Sequence, residues 1–129
     1  MADGNLPTYV TESTTVLWAG AVSGTRLAGA FVNFAGGAAV IGSGFLGVQN
    51  QDMTYSAFGV QPMIGVDIEG IVQVISGNAI ATGAPMTCQV GSGEFITATA
   101  GQDIHGRAMT AATAAGQKML MKITREGKA

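Results

Sequence analysis

The sequence predicts an all-β fold: a small glycine-rich β-sandwich or β-barrel of short strands with an extended N-terminal arm. Three observations carry this reading. Short runs of β-forming residues recur and are parted by glycine turns such as Gly36-Gly37, Gly42-Ser-Gly44 and Gly91-Ser-Gly93. Twenty of the 129 residues are glycine, and a glycine inside a helix costs about 1 kcal/mol relative to alanine. No segment alternates strands with long helical periods, as a βαβ unit requires. The 47% apolar fraction is enough for a core, and the length suits one domain. The arm is placed at residues 1–15, the β domain at 16–124 and a polar tail at 125–129.

The elements follow in chain order. Residues 1–7 carry turn and breaker residues, including Gly4 and Pro7. Thr8-Tyr-Val-Thr-Glu-Ser-Thr-Thr15 has β-forming residues but little to pack on itself. It is either disordered or ordered by pairing with something else. Val16-Leu-Trp18 begins the domain, and Trp18, the single tryptophan, reads as a core or interface anchor. Strands are expected at 30–34, 38–41 and 45–48, then a polar loop at 49–61 that carries Tyr55 and Phe58. In Ile64-Gly-Val66-Asp-Ile68-Glu69 the apolar residues share one face and the acids the other, because side chains alternate along a strand. Gly70 permits a turn into a further strand at 71–75.

Ser76-Gly-Asn-Ala-Ile-Ala-Thr-Gly83 reads as a connector with turn chemistry at Gly77-Asn78. Met86, Cys88 and Val90 share a face opposite Thr87 and Gln89, and residues 94–97 return from the Gly91-Ser-Gly93 turn. A strand at 104–110, a small-residue connection and a last strand at 117–124 complete the domain. In that last strand Met119, Met121 and Ile123 alternate with Lys118, Leu120 and Lys122. A helical turn near 78–83 or 110–116 is the alternative.

Charge is sparse. Asp, Glu, Lys and Arg are absent between Arg26 and Asp52 and between Glu69 and Glu94, and make up 11% of the chain, against roughly 25% in ordinary domains. A small protein normally covers its surface with charge, so much of this surface is expected to lie against other protein. The net charge is −2 and the pI about 5.1, without the basic stripe that nucleic-acid binding needs. Lys118, Lys122, Arg125 and Lys128 cluster near the end, interrupted by Glu126, and read as a solvated strand face and tail. Residues 27–51 are long enough to cross a membrane, but their glycines, with Asn33, Ser43 and Gln49, fit strands and turns better. MADGNLPTYV lacks a basic region followed by an apolar run, so no signal peptide is expected.

Chemistry-bearing residues are few. Cys88 is the single cysteine and His105 the single histidine. Cys88 shares an apolar strand face and reads as a core thiol, not a nucleophile. It also argues for a reducing compartment or an assembly made inside a cell. One His and one Cys do not make a zinc set, and Asp67 with Glu69 reads as a solvent-facing acidic pair. Gly42-Ser-Gly44 and Gly91-Ser-Gly93 lack the Lys-Ser/Thr pair and helix of a phosphate loop. No catalytic, cofactor or metal residues are assigned, and no enzymatic activity is expected.

Two blocks carry a resemblance. Ile64-Gly-Val-Asp-Ile-Glu-Gly-Ile-Val-Gln-Val-Ile-Ser-Gly-Asn-Ala-Ile-Ala-Thr-Gly-Ala-Pro-Met86 resembles the central block of the tailed-bacteriophage head decoration (capsid cement) proteins. His105-Gly-Arg-Ala-Met-Thr-Ala-Ala-Thr-Ala-Ala-Gly-Gln-Lys-Met-Leu-Met-Lys-Ile123 resembles their ending. The likeness spans roughly residues 30–124, and the long charge-free block before Asp52 departs from the lambda-type pattern. The resemblance implies a homotrimer on the outer surface of a phage head, made in the host cytoplasm. It would clamp the major capsid protein lattice against internal DNA pressure. It also implies a capsid-binding arm, here Leu6, Pro7, Thr8, Tyr9, Val10 and Thr11 and on to Thr15. The alternatives are another virion structural protein, such as a tail-tube, fibre or head-completion protein, or a small β-barrel ligand-binding module.

Overall fold

The computed structural model describes residues 6–17, 24–26, 29–33, 44–55, 63–89 and 93–129. Those residues form ten strands and no helix: β1 (Tyr9–Leu17), β2 (Gly24–Arg26), β3 (Phe31–Asn33), β4 (Phe45–Gln49), β5 (Met53–Tyr55), β6 (Met63–Ile75), β7 (Pro85–Cys88), β8 (Phe95–Thr97), β9 (Asp103–Ala108) and β10 (Lys118–Lys128). The all-β expectation is met, and the form is a nearly closed antiparallel barrel-like sheet. Its strand order is β3-β4-β6-β10-β9-β7-β8, with β1 also on β6, while β2 and β5 pair separately. The two ends of that order approach each other where the Phe31 N–H donates to the Gly93 carbonyl at 3.2 Å.

β6 is the hub. It pairs antiparallel with β1, β4 and β10. Gly70 was expected to reverse the chain here, yet residues 63–75 run as one strand. Gly70 has φ +110° and sits where the β1 register slips between Val10, Glu12 and Ser13. Its missing side chain leaves room for the Tyr9 carbonyl, which a Cβ would strike. The glycine therefore lets β1 come close at a register irregularity, as at a bulge, inside one continuous strand.

The hairpin β7–β8 is as expected, with Cys88 opposite Phe95. The Ala-rich segment after β9 is a connection, pinned by the Ile80–Ala112 bridge and by the Ser76 hydroxyl, which donates to the Ala114 carbonyl at 2.7 Å. Alternation in β10 holds: Met119, Met121 and Ile123 are buried and Lys118 and Lys122 exposed. The expected polar tail is instead the end of β10, which pairs with β9 through Lys128↔Asp103 after an irregularity between Ile123 and Gly127. Part of the expected 49–61 loop is β5, paired with β2.

The main core joins Phe31, Phe45, Val72, Val74, Met86, Phe95, Met119 and Met121, with Val10 of β1 packed against it. A smaller cluster of Val32, Ile64 and Val66 is covered by Val16 and Leu46. Each buried Leu-, Val- or Met-sized side chain stabilises by about 1.5–3 kcal/mol. The expectations for Trp18, the strand at 38–41, Phe58, Val90 and the turns at 36–37 and 42–43 lie outside the described residues.

Candidate functional site: the N-terminal strand and the polar cavity beneath it

The segment read as an arm lies along β6. Leu6 is half-buried, and its N–H donates to Gln73 Oε1 at 2.8 Å. Pro7 and Thr8 are exposed. Tyr9 is 70% exposed although it opens a paired strand. Val10 turns inward, residues 11–15 are exposed, and Val16 turns inward again. The chain itself thus supplies the pairing partner that the sequence left open. β1 pairs with β6 along one edge, and no other pairing of β1 is seen among the described residues. A sheet edge of this kind presents N–H and C=O groups to any incoming strand.

Beneath this strand is a cavity of about 250 Å³, lined by Leu6, Thr8 and Val10 from the arm and by Gln49, Asn50, Asp67 and Gln73 among others. Gln49 is 1% exposed, and its Nε2 donates to the Gln51 carbonyl at 2.7 Å. Asn50 Nδ2 donates to Asp67 Oδ1 at 3.2 Å. Asp67, expected on a solvent face beside Glu69, is buried. The reason is that β1 and β4 both pair along β6 at this point. Burial raises the Asp67 pKa, and the Asn50 hydrogen bond opposes that rise. The cavity is polar but smaller than the roughly 300–1,000 Å³ of small-molecule sites.

Cys88 is buried as expected. Burial first, and the Glu94 charge second, push its thiol up to about 12. Its Sγ donates to the Gln89 carbonyl at 3.4 Å. A thiol held protonated is a poor nucleophile. His105 is half-buried, and its ring stacks on Phe45 with centroids 4.5 Å apart. Burial lowers its pKa. Among the described residues no group of three or more His, Cys, Asp or Glu side chains is placed to hold a metal ion. Nor, among those residues, is any helix long and apolar enough to cross a membrane.

The sequence reading missed Gln49, Asn50 and Gln73 as a cluster. Their signal was uncharged polar residues set inside or beside apolar runs. It also missed Arg125, placed in a tail, although Gly127 two residues on marks irregular backbone inside a strand. The anchor residue Trp18 lies outside the described residues. No protein-family model, curated protein or solved structure matches this chain.

Proposed function

We propose that this protein is a capsid decoration (cement) protein of a phage head. In this reading it binds the outer surface as a homotrimer and stabilises the shell against internal DNA pressure. Its partners are the major capsid protein and further copies of itself. The observation that carries the reading is β1: an N-terminal strand held along one edge, with Tyr9 and residues 11–15 exposed. Strand addition to such an edge is a common way for one protein to hold another. Support also comes from the charge-poor sequence and from the two family-like blocks at residues 64–86 and 105–123. The connections at 77–83 and 109–117 support it further, being largely exposed yet without a charged residue.

The test is sedimentation of expanded phage heads lacking their decoration protein, mixed with this protein. The expected result is co-sedimentation, with a trimeric mass for the free protein. Tyr9→Ser and Ser13→Lys together should keep the fold, since exposed substitutions usually change stability by less than about 0.5 kcal/mol, and should weaken attachment. A protein that stays a single subunit at high concentration and leaves heads bare would refute the proposal.

A further inference from the structure

His105 and Arg125 meet across one aromatic ring. Phe45 stacks on the His105 imidazole at 4.5 Å and 27°, and the Arg125 guanidinium carbon lies 4.9 Å from the same ring centroid. Phe31 packs against both rings, 5.2 Å from Phe45 and 5.6 Å from His105. Arg125 Nη1 donates to the Phe45 carbonyl at 2.6 Å. Its Nη2 donates to the carbonyls of Leu46 at 2.8 Å and Ile68 at 2.9 Å. These acceptors belong to β4 and β6. β10 pairs with β6 only as far as Lys122, so the guanidinium ties β10 back where the ladder has ended. Arg125 takes φ 50°, the one positive φ of a non-glycine residue among those described. Side-chain-bearing residues rarely adopt this backbone unless their surroundings hold them in it.

We propose that protonation of His105 releases this guanidinium latch, so that acid loosens the far half of β10 from β4 and β6. An imidazolium would place a second cation against the ring that Arg125 caps, on an imidazole that is half-buried between Phe31 and Phe45. The groups facing His105 divide. Asp103, on the same strand, favours the proton, and it is itself paired with Lys128 Nζ at 3.0 Å. Arg125 opposes the proton. From β3 and β4 come the apolar rings of Phe31 and Phe45.

Burial opposes the proton most, so the native pKa lies below the ordinary 6.5. The sign follows. The unfolded chain takes the proton first, and stability falls as pH drops through 6.5 toward the native value. The Arg107–Glu126 pair does not titrate in this window, because Arg107 holds the Glu126 carboxyl down at about 2. Arg107 is therefore the internal control.

The experiment is NMR of the full chain between pH 7 and pH 5. It follows the His105 imidazole and the protection of the Arg125 guanidinium protons relative to those of Arg107. The expected result is a loss of relative Arg125 protection, about fivefold or more, that tracks the His105 titration. Arg125→Gln should move that titration to higher pH, and His105→Gln should abolish the loss. Arg125 protection that stays constant through the His105 titration overturns the proposal, as does a His105 titration unmoved in Arg125→Gln. The wild-type measurement decides on its own if either variant fails to fold.

Discussion

Gly47 shows how tightly single positions are specified. It lies in β4 beside β6, and a Cβ there would strike the Asp67 carbonyl and the Val66 side chain. Backbone cannot yield as a flexible side chain can, so Gly47→Ala should cost about 1–3 kcal/mol, read as a lower urea midpoint with an unchanged slope. Asp67 predicts the opposite sign. Its folded pKa is raised above the ordinary 3.8 by burial. Its contribution to stability is therefore full below that value and declines as pH rises through the native one. Asp67→Asn, which can keep an acceptor for Asn50, should raise the melting temperature at pH 7, with the gain fading as pH falls toward 4. A gain that persists unchanged in acid would assign the effect to packing instead of charge.

At the scale of elements, β10 is held by different forces along its length. Its first half buries Met119, Met121 and Ile123 against the core. Its second half is tied by ions: Arg107 Nε and Nη2 donate to the two Glu126 carboxylate oxygens at 2.9 and 2.8 Å, and the Thr124 hydroxyl donates to Glu126 Oε2 at 2.7 Å. Glu126 is depressed to about 2 by Arg107 first and Thr124 second. Its stabilisation is therefore present above the ordinary 4.5 and lost as pH falls through the native value. Glu126→Gln should lower the melting temperature slightly at pH 7 and match the wild type near pH 2. The effect should shrink in high salt, because the pair is open to solvent.

The strength of each sequence signal explains which elements were legible. Met119, Met121 and Ile123 announced their strand by strict alternation, and Pro85 with Gly91-Ser-Gly93 announced the β7–β8 hairpin. Gly70 misled, because a glycine at an irregularity within a strand and one that reverses the chain look alike in sequence. The difference lies in the Tyr9 carbonyl that approaches it from β1. Asp67 misled for a related reason: alternation assigns it a face, but whether that face meets water depends on which strands lie alongside. Gln49, Asn50 and Gln73 stand out only as uncharged polar residues in or beside apolar runs; that they meet depends on β4 pairing with β6, which nothing local in the sequence announces. Arg125 looked like part of a solvated tail because its three acceptors lie 57 to 80 positions away.

For the molecule as a whole, β1 belongs to the domain and is not a detached leader. Val10 and Val16 pack on the two apolar clusters. Removing residues 1–8 should cost little, because β1 stays and, among the described residues, the loss is the Leu6–Gln73 tie and the Leu6 and Thr8 side of the cavity. Removing residues 1–17 should leave β6 bare along one edge and promote association between sheets. Light scattering alongside thermal melts separates the two cases. Under the capsid reading, both truncations should weaken attachment to heads, but only the longer one should do so through loss of fold.

The central position of β6 carries a kinetic consequence. Its neighbours come from the start, the middle and the end of the polypeptide, so no early fragment can complete the barrel. Chain entropy must be surrendered over long loops before the first large gain in burial arrives. Refolding should accordingly be slow for so small a protein, in the range of milliseconds to seconds. A partial chain ending before Lys118 should remain an open, sticky intermediate until the last strand is supplied.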